Sequence, residues 1–326
     1  MRIIDFHNHF YPPEYIEAIK SGPSNVKVTM DSEHNPLLHY PGDYNILVPG
    51  HRDIDFRTEV LRNAGVDKQI LTFTTPGVHI ESLTRSVELA RMVNDRFAEV
   101  VKKRGGLFAA LATLPLNDPA ASATELERAF NDLGFRGAAL FSNVNGVALS
   151  DRRFWPLYEK ANELHAVFFI HPSWPVGVET MTEYRLMPLI GFTYDTTLAA
   201  AKLVFSGVTE HFPKIKWVLA HLGGAIPYLA ERLDRGYFAF RECREHIRKP
   251  PSEYLKEFYF DTVNFDPRAL RLAIDFAGAD HLVAGSDYPH QIGSLEKMIS
   301  SIKGLNLPEK ENAGILGENA AQLLGL

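Results

Sequence analysis

The chain has 326 residues, 45% hydrophobic and 23% charged, the composition of a globular protein with a sizeable core. A formal net charge of −6 leaves no basic surface for nucleic acid or an anionic membrane, and no apolar run approaches the ~20 residues that span a bilayer. The single cysteine, Cys243, excludes an intramolecular disulfide, points to a reducing compartment, and leaves histidine and carboxylate as the available metal ligands.

The N-terminus runs straight into an apolar, strand-like segment without the regions of a signal peptide, so a cytoplasmic location is expected. Short apolar runs follow in chain order at residues 2–6, 68–73, 107–111, 137–140, 166–170, 216–220, 258–261 and 281–284. Amphipathic helical patterns lie between them at residues 82–103, 120–133, 154–164, 196–211, 226–240 and 267–276. Eight strands separated by helices favour parallel βαβ units, which at this length close as one (β/α)8 TIM-like barrel domain over residues 1–326. A doubly wound open sheet is the alternative, but no GxGxxG follows the first strand to support it. Two connections are long: residues 10–56, expected as an insert over the barrel mouth, and residues 172–195 after the fifth strand.

The polar residues that end these strands carry the chemistry. The first strand ends in Asp5-Phe6-His7-Asn8-His9, and alternation along a strand would turn His7 and His9 to one side, within reach of one cation. Such a pair also arises when one histidine packs in a core and the other faces water. His171 directly follows residues 167–170, and Pro172 stops that strand. His221 follows residues 217–220 in the same way, and Asp287 follows residues 282–286. Barrel chemistry gathers at the C-terminal ends of the strands, so all five side chains are expected at one rim.

The HxH start, His171-Pro172, the stretch His211-Phe212-Pro213-Lys214-Ile215-Lys216 leading into Ala220-His221-Leu222-Gly223-Gly224, and Gly285-Ser286-Asp287-Tyr288-Pro289 together resemble the amidohydrolase superfamily. More narrowly, they resemble its metal-dependent non-oxidative decarboxylases, typified by aminocarboxymuconate-semialdehyde decarboxylase. That resemblance implies one divalent metal, usually zinc and sometimes manganese, held by His7, His9, His171 and Asp287. It implies His221 as the acid/base residue beside the catalytic Asp287, and a homodimer or larger homo-oligomer. The resorcylate and dihydroxybenzoate decarboxylases are less similar, since they carry a glutamate where this chain has Gly224.

A planar carboxylated substrate wants an arginine fork and an aromatic wall, which makes Arg52, Arg185 and Trp174 candidates for binding it. His290, three residues after Asp287, is a further candidate to line the pocket or support a ligand. The stretch Asn45-Ile46-Leu47-Val48-Pro49-Gly50 departs from the arginine-bearing sequence of the aminocarboxymuconate enzyme. Asp261, which ends the seventh strand, and Asn264 after it are expected to contact a pocket ligand, with capping of the loop as the alternative for Asp261. His34, His39, His79, His165, His211, His246 and His281 are expected to be structural or solvated. The apolar segment 184–194 is expected to form a subunit contact or cover the site.

The expected activity is decarboxylation of a small hydroxylated aromatic or unsaturated carboxylic acid. A metal-dependent hydrolase of a cyclic ester, amide or related bond is the alternative, because the same metal set serves both. A metal-binding scaffold without catalysis is disfavoured, since a structural site needs no acid/base neighbour.

Overall fold

Strand five shows how this sequence builds a barrel wall. Val167-Phe168-Phe169-Ile170 is an unbroken run of β-branched and aromatic residues, and all four are buried. Val167 and Phe169 pack in the barrel interior with Ile4, Phe6 and Val218, whereas Phe168 and Ile170 face outward into the larger core beneath the helices. A strand buried on both faces needs partners on both edges, and it pairs in parallel with Gly137–Phe141 on one side and Lys216–Leu219 on the other.

The computed structural model describes residues 1–40, 43–104 and 106–326. Its eight parallel strands are Ile4–Asp5, Lys68–Leu71, Phe108–Ala110, Gly137–Phe141, Val167–His171, Lys216–Leu219, Tyr259–Asp261 and Leu282–Val283, a TIM-barrel order. The third strand is interrupted at Leu111: its first part pairs with the second strand, and its continuation Ala112–Thr113 pairs with the fourth. Between the eighth and first strands a few bonds replace a full ladder. Phe6 N–H donates to the Ala284 carbonyl at 2.8 Å, and Asn8 makes an isolated parallel bridge to Tyr288.

The expected helices are present as Leu83–Arg104, Pro119–Asn131, Trp155–Leu164, Phe192–Phe205, Ile226–Ala239 and Pro267–Ala277. The pattern at 196–211 begins earlier, at Phe192, and breaks at Gly207, whose φ of 80° no longer fits a helix; Val208–His211 follows as a separate turn. Leu295–Lys303 and Asn319–Leu324 were not read from the sequence. The last of these sends Ala320, Ala321 and Leu324 into the barrel interior beside Ile4 and Phe6. Among the described residues no helix is long and apolar enough to cross a membrane.

The connection after the first strand is structured. It contains the helix Pro13–Ser21, an antiparallel meander of Lys27–Met30, Pro36–Tyr40 and Asp43–Ile46, and the short helix Pro49–Arg52. Asp53 then caps the helix Ile54–Ala64, its carboxylate accepting the N–H groups of Asp55 and Phe56. Arg57 on that helix is fully buried and donates to the Gly50 carbonyl at 2.9 Å, Asn8 Oδ1 at 2.9 Å, Gln69 Oε1 at 2.6 Å and the His9 carbonyl. One guanidinium thus fastens the insert to the first two strands.

Candidate metal and acid–base site

The ladder of the first strand stops at Asp5 and the chain bends at His7, so regular alternation does not bring His7 and His9 together. The bend does so instead, placing their Nε2 atoms 3.1 Å apart. Asp287 Oδ1 lies 3.0 Å from His9 Nε2 and 3.4 Å from His7 Nε2. With His171 they form a buried quartet in which one donor atom from each residue lies within 4.8 Å of all the others. His7, His9, His171 and Asp287 were each expected at the strand ends, and the fold gathers them at one point.

The hydrogen bonds behind the quartet decide what its inner atoms can do. His7 Nδ1 sits 2.5 Å from Asp261 Oδ2, and His171 Nδ1 sits 2.8 Å from the Pro172 carbonyl oxygen. Protons on those outer nitrogens leave both Nε2 atoms as bare lone pairs turned inward. Without protons on them, such facing lone pairs and a buried carboxylate would repel one another unless a cation lay between. Three imidazoles and one carboxylate suit a first-row divalent ion, so the donor set fits a metal.

Burial pushes His9 and His171 well below the ordinary imidazole range, and neighbouring histidines add to the effect. Burial alone would also lower His7, but the Asp261 carboxylate outweighs it and raises the group. For Asp287 burial favours the neutral acid, yet the surrounding histidines, His290 and His7 first, hold it below the usual carboxylate value.

Asp261, left open between ligand contact and loop cap, binds no space in the cleft. Besides His7 it accepts backbone N–H groups from His221 at 3.0 Å, Leu222 at 2.9 Å and Val263 at 2.9 Å. It therefore sets the ring of one quartet member and the loop that carries His221 at once. Asn264 is exposed and its side chain accepts the Asp266 N–H at 3.3 Å. Asp5 ties the opposite side of the site together. It accepts Ser286 Oγ–H at 2.6 Å, Ser286 N–H at 3.0 Å and Gln69 Nε2–H at 2.7 Å, while burial pushes its carboxyl up to about 6.

His221 opens onto the cleft next to the quartet, its ring 5.1 Å from His7 and 5.4 Å from His171 between centroids. Phe192 stacks on it at 6.2 Å. Burial, and then the charge of His7, push it down to about 4, so it is a neutral base at pH 7. Its Nδ1 is buried without a partner. His221, Leu222 and Asp287 have φ of 53°, 56° and 58°, a left-handed conformation that costs a non-glycine residue ~1–3 kcal/mol. Hydrogen bonds to Asp261 and to the His7 carbonyl hold them there.

The cleft above the quartet has a volume of about 200 Å3. Arg185 lines it but is already engaged, donating to Tyr44 Oη at 2.7 Å and pairing with Asp43 at 3.3 Å. His290 lines it too, its ring 4.8 Å from that of His9. Arg52 is turned into the insert, donating to the Leu47 carbonyl at 3.0 Å, and does not line the cleft. Trp174 lines an adjoining cavity of about 420 Å3 that shares Thr75 and Phe192 with the cleft. His79 lines that second cavity, buried at the barrel mouth and away from solvent. His51, inside the long connection 10–56, also lines the cleft, and no periodic pattern in the sequence marks it. His34, His165, His211 and His246 are exposed, His39 bonds Thr29 Oγ1 at 2.7 Å, and His281 bonds the Phe258 carbonyl at 2.9 Å.

Residues 4–326 match the amidohydrolase family model. The 2-amino-3-carboxymuconate-6-semialdehyde decarboxylase of Dictyostelium discoideum is 34% identical over 279 residues, covering 84% of this chain and 77% of the relative. The crystal structure of 5-carboxyvanillate decarboxylase from Sphingomonas paucimobilis superposes with a TM-score of 0.88 at 25% identity, covering 100% of this chain and 99% of the other. That of dihydroxybenzoic acid decarboxylase from Polaromonas sp. JS666, with bound manganese and the inhibitor 2-nitroresorcinol, gives 0.83 at 27% identity, covering 99% and 97%. All three similar proteins are carboxy-lyases, and the likeness extends to both the muconate and the dihydroxybenzoate enzymes. This chain belongs to the amidohydrolase family, in its branch of metal-dependent non-oxidative decarboxylases.

Proposed function

We propose that the enzyme releases CO2 from a small hydroxylated aromatic or unsaturated carboxylic acid, using His221 as proton donor beside a divalent ion held by His7, His9, His171 and Asp287. The observation that carries this reading is the convergence of those four side chains under a cleft into which His221 also opens. Held by His7, His9, His171 and Asp287, an ion would supply positive charge to orient the acid and steady developing negative charge. His221, neutral at pH 7, would draw a proton from solvent water and pass it to the carbon that bears the carboxylate, which forms the new carbon–hydrogen bond. The carbon–carbon bond then breaks, its electron pair returns to the ring or chain, and CO2 departs. Asp287 would hold the ion through its carboxylate, and Asp261 keeps the His7 ring and the His221 loop in place.

The nitrogen-rich donor set favours zinc, with manganese as the second candidate because a similar decarboxylase holds it. The lone cysteine supports a cytoplasmic location. Of the segment 184–194, Met187 is buried and Leu189 and Phe192 line the cleft, whereas Ile190 and Tyr194 are exposed and supply an apolar patch for a homodimer contact. Sedimentation of Ile190→Asp tests that contact, and an assembly state identical to wild type removes it.

The activity is tested by incubating zinc- and manganese-loaded protein with 2,6-dihydroxybenzoate and with muconate-type acids while measuring CO2. Release above the metal-free control is expected. Absence of CO2 from every acid, with turnover of lactones or amides instead, would return the enzyme to the hydrolases.

A further inference from the structure

His51 is 2% exposed, lines the cleft, and neither of its ring nitrogens has a hydrogen-bond partner. Its main chain is fully committed: its N–H donates to the Val48 carbonyl at 2.8 Å, and its carbonyl accepts the Tyr11 N–H at 2.7 Å. Next to it, the Gly50 carbonyl accepts Arg57 Nε–H at 2.9 Å, which locks this turn to the first two strands. A buried polar group without a partner is costly, and natural structures rarely retain one without a use. Here two such atoms sit on one rigidly held ring that faces the ligand space.

The neighbouring ring gives the direction. His290 packs 5.0 Å from His51 and 4.8 Å from His9, so it bridges from the metal quartet to His51. The two imidazoles line a cleft to which Ile46, Val48 and Pro289 contribute apolar surface and Tyr44, Asn45 and Gln291 further polar groups. An imidazole nitrogen can donate to or accept from a hydroxyl, and a ring held at the quartet by its carboxylate would present its substituents to these two imidazoles. The cleft's arginine, Arg185, is already bonded to Tyr44 and Asp43, which does not favour a second carboxylate.

We propose that His51, backed by His290, is the specificity-determining contact for a hydroxyl of the substrate ring. This rests on the decarboxylase reading above. A site built to bond a hydroxyl rejects the analogue that lacks it, because its own polar atoms then stay unpaired.

The test measures binding of 2,6-dihydroxybenzoate and of benzoate to metal-loaded wild type, His51→Phe and His51→Gln, alongside their melting temperatures. His51→Phe is expected to weaken dihydroxybenzoate about tenfold or more relative to benzoate, without lowering the melting temperature, since it removes unpaired atoms from the interior. His51→Gln, which keeps a donor and an acceptor, is expected to recover part of that selectivity. Equal weakening of both acids, no weakening of either, or a loss of affinity that follows a fall in melting temperature would overturn the proposal while leaving the decarboxylase reading intact. Failure of wild type to bind either acid would overturn the hydroxyl contact as well, and the decarboxylase reading would then fall only if muconate-type acids also release no CO2.

Discussion

At the scale of single residues, His221 and Asp261 divide the handling of protons from the handling of geometry. His221 touches the cleft but lies outside the quartet, so His221→Asn is expected to keep the metal and lose at least the ~10²-fold of a general acid. Elemental analysis alongside rate measurements checks this, and loss of metal in step with activity would make His221 a ligand. Asp261→Asn keeps the shape but weakens the bond that orients His7, and is expected to cost roughly 10–100-fold in metal affinity, read by competition with a chelator. His79 bears on stability. Burial pushes it from 6.5 to about 4, so between those values the unfolded chain binds a proton that the folded chain refuses. Stability from this residue is therefore full above the unfolded value and falls as the pH drops toward 4, by about 3 kcal/mol. His79→Phe should flatten that acid limb in denaturant titrations at pH 7 and pH 4; an unchanged difference between the two would show that His79 is not the group responsible. The quartet and His221 were legible in the sequence because each closes an apolar run at a strand end. His51 and His79 were not, because their positions depend on how loops fold back over the mouth.

At the scale of elements, the eight strands could be read because each contains a short apolar, mostly buried run, as in Gly137–Phe141 and Val167–Ile170, even where a polar residue such as Asp5, Lys68 or Gln69 interrupts it. The insert could not, since its meander has partly exposed strands with mixed side chains and its place is set by Arg57 and by one tight approach. At Gly50 a Cβ would lie 2.4 Å from Tyr288 Oη and 2.9 Å from Pro289 Cβ, so the short helix Pro49–Arg52 meets the loop after the eighth strand with no room for a methyl group. Gly50→Ala is expected to destabilise by ~1–3 kcal/mol and to shift His51 and the insert away from that loop. Unchanged stability together with unchanged ligand affinity would show that the two elements separate freely. The alternation argument for His7 and His9 reached the right convergence by the wrong route, because a bend after Asp5 does what a continued strand would not.

At the scale of the molecule, the narrow seam between the first and eighth strands carries ligands on both of its sides. Removing the metal is expected to lower the melting temperature by several degrees and to speed amide exchange first at Phe6, His9 and Ser286, whose N–H groups bond across the seam. Uniform exchange across the barrel after chelation would show that the seam does not depend on the ion. The same arrangement has a meaning for the chain during its synthesis. His9 and Asp287 are 278 residues apart in sequence, so the full coordination set cannot assemble until almost the entire polypeptide has left the ribosome. A nascent or truncated chain holds at most three of the four donors and stays unclasped. Metal occupancy in a population of these molecules thus counts the chains whose two ends have been made and have met.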